Sequence, residues 1–288
     1  MRYEFIESHR DEFPVNLMCE VLGIVRQTYY AWRKRTPSNH QQEDEQLLEE
    51  IKEIHEAHRQ TYGSPRIHKV LQDRGWTVGR NRVARLMREN GIRAIQKRQK
   101  KWTTDSDHPF PIAPNLVNRQ FEASAPDQLW LADLTYVNTD EGWLYLAAVL
   151  DGCSRKIVGW AMDKTMSRRL CMDALKMAVQ TRQPDSGLVH HSDRGSQYAS
   201  SDYQALLEQY GLVCSMSRRG DCWDNAPIES FFGTLKTESL HRYRFKTRTE
   251  ARQEIFQYIE AFYNRKRSHS ALGYMSPEAF ESQVAQVA

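Results

Sequence analysis

The sequence predicts an α/β protein in which a mixed sheet carries helices on its faces and follows a basic, helical region. Three observations lead there. Between residues 129 and 162 three β-prone runs follow one another with only turn residues between them. After them helix and strand patterns alternate up to a last helix around Glu229, and the order βββαβαβα covers a sheet with helices. Before them, from 43 to 91, apolar residues recur at helical spacing.

In chain order, 14–35 reads as two short helices around Gly23, either a helix-turn-helix or a helical hairpin that docks elsewhere. Leu17, Met18, Val21 and Leu22 form one apolar stripe, and Tyr29, Tyr30 and Trp32 begin another. Residues 36–42 are a polar connector. Leu47, Leu48, Ile51, Ile54, His55 and His58 then mark a long amphipathic helix over 43–58. Ser64-Pro65 is a start signal, serine to cap and proline for the first turn, and this helix ends at Gly75. The next runs from near Gly79 to Asn90-Gly91. On it Val83, Leu86 and Met87 point inward, while Arg80, Arg82, Arg85 and Arg88 project as phosphate or major-groove contacts require. A solvated basic face is the other reading of those arginines.

Residues 96–119, polar and proline-bearing, separate this helix-turn-helix-like DNA-binding region (39–95, after an N-terminal helical segment, 1–38) from the rest, 120–288. Strands are expected at 129–137, 143–150 and 157–162 as an antiparallel meander. A helix at 168–181, a strand at 187–191, a helix at 200–210 and a strand at 212–216 follow. In the last helix, DCWDNAPIESFFGTLK (221–236), Ile228, Phe231, Phe232 and Leu235 share one stripe, with Asn225, Glu229 and Lys236 beside it.

The net charge of +3 hides an asymmetry: residues 1–120 hold 21 Lys and Arg against 16 Asp and Glu, and residues 121–288 hold 19 against 21. Between Arg59 and Lys101, 13 basic residues face only Asp73 and Glu89, which marks a polyanion-binding surface. Five cysteines, an odd number without a CxxC pair, indicate neither a disulfide framework nor a zinc knuckle. No signal core and no membrane-length apolar run occur, so a cytoplasmic protein without membrane contact is expected.

The chemistry rests on three acids. Asp133 interrupts an apolar strand, where a charge is expensive unless it pairs or binds a cation. Asp193 follows the strand ending VHHSD, where ligands collect at strand ends. If these strands are neighbours, both aspartates meet at one edge and the Glu229 helix crosses beside them. Three carboxylates without a His or Cys ligand set suit Mg²⁺ or Mn²⁺. Two such ions, about 3.5–4 Å apart, would serve in-line attack on a phosphodiester, hence nuclease or strand-transfer chemistry. Each acid alone has an ordinary structural reading, and His190 and His191 read as strand-end core residues rather than ligands.

With Asp133 and Asp193 60 positions apart, 35 residues between Asp193 and Glu229, and Lys236 seven after the glutamate, the pattern resembles the DDE motif of insertion-sequence transposases. The words LWLADLTYV, HHSDRGSQY, GDCWDNAPIESFFGTLKTE and YNRKRSHSALGYMSP resemble the second-frame (OrfB) product of the insertion sequence three family. That resemblance implies an RNase H-like, retroviral-integrase-like catalytic core with a C-terminal helical extension, and a metal-dependent DNA transposase. It implies Asp133, Asp193 and Glu229 as catalytic, metal-binding acids, Lys236 as a DNA contact near the cut, and Asn225 as their support. For Tyr263, Asn264, Arg267 and His269 it implies packing and DNA contact, and for Cys222 and Trp223 the loop reading is packing. Family members are commonly fused to an upstream-frame (OrfA) product with a leucine zipper, and no such heptad run occurs here. A partner of that kind, DNA and a homo-oligomer on DNA are therefore the expected partners. A non-catalytic regulator of transposition is the alternative for the chain made alone.

Overall fold

A computed structural model of the chain describes residues 1–34, 38–95, 111–218 and 222–287. Parts of both polar connectors, 35–37 and 96–110, and Asp221 lie outside the described residues, as do the side chains of Cys222 and Trp223. The chain divides into two compact units, Met1–Glu53 and Ile54–Ala288.

The first unit contains α1 (Arg2–Ser8), α2 (Val15–Val21), α3 (Arg26–Arg33) and most of α4 (Asn39–Ala57). Ile6, Met18, Cys19 and Tyr29 are its small core, and α2 and α3 flank Gly23 as the sequence predicts.

The second unit begins with the end of α4, then α5 (Ser64–Asp73) and α6 (Arg80–Glu89). Ser64 does not cap α5: Gly63, extended at φ −87° and ψ 176°, occupies the cap position, so Ser64 already lies in the first turn. On α6, Val83, Leu86 and Met87 are buried as expected, and Arg80 and Arg88 are exposed.

The sheet follows: β1 (Leu129–Thr139), β2 (Gly142–Asp151), β3 (Ile157–Asp163), α7 (Arg168–Arg182), β4 (Val189–Ser192), α8 (Ser196–Ala199), α9 (Ser201–Gln209), β5 (Val213–Met216), α10 (Ala226–Glu238), α11 (Arg248–Phe256) and α12 (Pro277–Val287). Strand order is β3-β2-β1-β4-β5. The first three strands form the expected antiparallel meander, β4 adds in parallel beside β1, and β5 in parallel beside β4.

The two-residue period of β1 divides the core. Leu129, Leu131 and Val137 join Ile228, Phe231, Phe232 and Leu235 of α10 and Ala251 and Ile255 of α11 on one face. Trp130 and Ala132 join Leu170, Ala174 and Leu175 of α7 and Tyr203 and Leu207 of α9 on the other. α7 lies close because Gly159 lacks a side chain: a Cβ there would sit 2.3 Å from the Ala174 carbonyl oxygen. The segment before the sheet is fixed to it, with Val117 in the core and Leu116 N–H donating to Ser215 Oγ at 2.9 Å.

Candidate active site

β4 pairs with β1 only as far as Ala132 and Ser192, so Asp133 and Asp193 are the next residues on two adjacent parallel strands. The strand period turns Asp133 toward α10, on the side of Leu129 and Leu131. Its Oδ1 accepts from Leu134 N–H at 2.7 Å. Desolvation, then the neighbouring charge of Asp193, hold the Asp133 carboxyl well above the usual carboxylate range. Glu229 adds to that, and the Leu134 N–H and Lys236 oppose it. The electrostatics thus link all four side chains, with Lys236 opposing the repulsion that Asp193 and Glu229 exert on Asp133.

Asp193 sits in the turn that leaves β4, its Oδ1 accepting from Gly195 N–H at 2.9 Å. A Cβ on Gly195 would stand 3.0 Å from that oxygen, so a side chain there would crowd the carboxylate. Glu229 lies in the first turn of α10, exposed, while Ile228 beside it is fully buried. Lys236, seven residues on and so on nearly the same side of the helix, lays its ammonium over the Tyr136 ring at 5.2 Å. Tyr136 meets Trp143 edge-on at 4.9 Å.

Asn225, immediately before α10, does not cap the helix with its side chain. Its Nδ2 instead donates to the Ala132 carbonyl at 3.0 Å, and its buried Oδ1 has no hydrogen-bond partner among the described residues. The start of α10 is held further by Asp224, which sequence reasoning missed. Fully buried, this carboxylate accepts from Arg218 Nε and Nη2 (both 2.9 Å), Arg119 Nε (3.0 Å) and Asn115 Nδ2 (2.9 Å). Arg218 foremost holds the Asp224 carboxyl well below the usual carboxylate range. The available signal was an acid in the loop with a basic residue six positions away; Arg119 is 105 positions distant.

His190 and His191 are buried and engaged in the core. His190 Nε2 lies 3.0 Å from Tyr203 Oη, and His191 lies 2.8 Å from Ser215 Oγ through Nδ1 and 2.9 Å from the Asp224 carbonyl through Nε2. The C-terminal signature packs inward. Asn264 brackets Ile157 of β3, accepting from its N–H and donating to its carbonyl, both at 3.0 Å. Tyr263 donates to the Arg155 carbonyl at 3.1 Å, and Arg267 is buried against Glu238. The Arg267 guanidinium is therefore committed to a carboxylate in the core.

The candidate donors are oxygens alone, and the charge on Asp133 is disfavoured by Asp193 and Glu229, a chemistry that fits a hard divalent cation. Among the described residues no three His, Cys, Asp or Glu side chains form a ready metal cluster. Nor, among them, is any helix long and apolar enough to cross a membrane.

Two family models described as integrase core domain match residues 123–222 and 210–277, and one described as HTH-like domain matches 41–100. An insertion element IS600 uncharacterized 31 kDa protein of Shigella sonnei is 52% identical over 271 residues, 94% of this chain and 100% of that one. The transposase InsF for insertion sequence IS3A of Escherichia coli (strain K12) is 42% identical over 284 residues, 98% of this chain and 99% of its own. The HTLV-2 integrase catalytic core domain in complex with magnesium aligns at a TM-score of 0.44 and 14% identity, over 56% of this chain and 99% of that one. The near-complete match to the IS3 transposase, together with the integrase core and HTH-like matches, shows that this chain belongs to the IS3 family of DNA transposases, which carry an RNase H-like, integrase-type core.

Proposed function

We propose that Asp133, Asp193 and Glu229 carry the phosphoryl transfer of this transposase, freeing a 3′ hydroxyl at an element end and joining it to a second phosphodiester. The observation that supports this most is that Asp133, within β1, and Asp193, one residue past β4, each directly follow the last paired residues of two adjacent parallel strands, with the fields of Glu229 and Lys236 reaching the Asp133 carboxyl. These three carboxylates would hold Mg²⁺ or Mn²⁺, in one or two ions. When bound, the metal supplies Lewis-acid stabilisation of the attacking and leaving oxygens.

The remaining work belongs to the chain. Asp133 on β1 and Asp193 in the turn that leaves β4 fix one side of the site, and Glu229 completes it from a helix whose other face is anchored in the core. Lys236 contacts the DNA backbone beside the cut, and Asn225 supports Asp133 through the Ala132 carbonyl. Arg80, Arg82, Arg85 and Arg88 contact DNA from α6, so that 39–95 reads the element end and 120–288 performs the transfer. An upstream-frame (OrfA) partner or fusion and a homo-oligomer on DNA complete the assembly, which acts in the cytoplasm.

A strand-transfer assay on element-end duplex, with the chain fused to its upstream-frame product, tests the assignment. Glu229→Gln should lower joining by roughly a hundredfold or more while duplex binding persists. Equal joining by wild type and variant would remove Glu229 from the chemistry.

A further inference from the structure

One buried polar joint connects α5 to the end of α10. Glu238 closes α10 and is 6% exposed. Arg267 grips both its oxygens, Nε to Oε2 at 2.8 Å and Nη2 to Oε1 at 2.7 Å, and Tyr258 donates to Oε2 at 2.8 Å. The next residue, Ser239, donates to Glu254 Oε1 at 2.6 Å. Glu254 also pairs with Arg59, from the turn after α4. The Arg59 guanidinium lies over the Tyr258 and Phe262 rings at 5.6 and 5.7 Å, and its carbonyl accepts from Arg242 Nη1 at 2.6 Å.

Three residues later Tyr62 is fully buried. Its hydroxyl accepts from Ser268 N–H at 2.7 Å and Ser268 Oγ at 3.0 Å, and donates to the Lys266 carbonyl at 3.2 Å. Those partners adjoin Arg267, the residue that grips Glu238. Arg59 and Gln60 hold φ of 58° and 59°, a left-handed conformation that non-glycine residues keep only where surrounding contacts over-determine it. The Gln60 carbonyl accepts from Ile95 N–H at 3.2 Å, so the chain leaving α6 returns to the same point.

We propose that Arg59 and Tyr62 are positioning residues for the transfer reaction. They fix α5 and α6 to the C-terminal end of α10, so that DNA gripped by α6 presents one particular phosphodiester to the carboxylates. This rests on the reading above that α6 grips DNA and α10 carries a catalytic acid. Glu229 lies about 13 Å along the helix from Glu238, so a tilt of about 10° at the joint moves the acid by about 2 Å. Ångström-scale misplacement of that kind costs about a hundredfold in rate.

Tyr62→Phe, which keeps the ring and its packing, and Arg59→Ala test the proposal in the full chain, with Arg59→Lys as the conservative control. On end-labelled element-end duplex, affinity should stay within about twofold of wild type. Cleavage should fall by about ten- to a hundredfold at unchanged KM, with cuts spreading to neighbouring phosphodiesters. Arg59→Lys should recover much of the rate and the single cut. Wild-type rate and cut position in both Tyr62→Phe and Arg59→Ala would overturn the proposal. A second measurement stands apart from activity: ketone-linked spin labels at the exposed positions 81 and 230 should give a narrow distance distribution that broadens in the two variants. An unchanged distribution would overturn the proposal even if the wild type does not cut, an outcome that counts separately against the catalytic reading.

Discussion

Asn225 donates from Nδ2 to the carbonyl of Ala132 at 3.0 Å, tying the residue before α10 to the residue before Asp133. That hydrogen bond adds a polar tie to the apolar packing that holds the helix carrying Glu229 against the strand carrying Asp133.

Removing that tie should separate stability from activity. Asn225→Ala is expected to lower unfolding free energy by about 1–3 kcal/mol, the usual cost of a broken buried hydrogen bond. Joining should fall further than that loss of folded protein explains. Asn225→Asp keeps the shape but sets a carboxylate against the Ala132 carbonyl, and adds negative charge where Asp133 already suffers from Asp193 and Glu229. It should be the more harmful change. Denaturant midpoints and joining rates on the same preparations check both, and an Asn225→Asp protein with wild-type joining would remove Asn225 from the site's support.

Asp224 should matter to folding more than its place in a loop implies. Asp224→Ala leaves Arg119 and Arg218 without their shared carboxylate and takes the acceptor from Asn115 Nδ2. The expected cost is about 2–3 kcal/mol, below the usual range for a broken buried pair because both guanidiniums are half exposed. Its folded pKa is depressed, so its contribution is complete above the unfolded value near 3.8 and is lost as pH falls through the lower folded value. The variant's deficit should therefore be constant from pH 5 to 8 by chemical denaturation and shrink only in strong acid.

What the sequence made legible and what it hid follow from the range of each interaction. Asp133 was visible because a charge inside LWLADLTYV contradicts its neighbours, and the stripe of Ile228, Phe231, Phe232 and Leu235 because helical periodicity is local. The meander and its order were readable from turns of a few residues. Arg267 was read partly as a DNA contact because a sequence displays a cation without its partner, and Glu238 stands 29 positions earlier. Arg119 of the apparent linker finds Asp224 only through the fold. Ser64 misled for a local reason: a residue caps only if its own backbone is non-helical, and here Ser64 is already in the helix while Gly63 is extended, which composition does not specify.

Two desolvated histidines, buried His190 and half-buried His269, contribute to the acid limit of the fold. Burial pushes both His190 and His269 down to about 3, against about 6.5 in the unfolded chain. A depressed histidine stabilises fully above the unfolded value and loses that contribution as pH falls from about 6.5 towards 3, because the unfolded state takes up the proton first. Each should contribute a slope of about 1.4 kcal/mol per pH unit within that window. Urea midpoints at pH 7.5, 6 and 5 should fall steeply below 6.5, and His269→Gln should flatten the decline by roughly one proton's worth. An unaltered slope in His269→Gln would show that this histidine is not held neutral.

Lys236 joins two roles whose consequences differ in salt. Its ammonium stands over Tyr136 and its charge partly offsets the repulsion on Asp133. A phosphate contact made by this residue would add about one released counterion to binding, so Lys236→Ala should reduce the slope of log affinity against log salt by about 1. Lys236→Arg keeps the charge and should keep the slope, while its broader, planar head changes the approach to Tyr136 and to the phosphate. Element-end affinity measured between 50 and 200 mM salt separates the cases. A Lys236→Ala protein with the wild-type slope but impaired joining would confine Lys236 to the electrostatics of Asp133, and a lowered slope with intact joining would confine it to the DNA backbone.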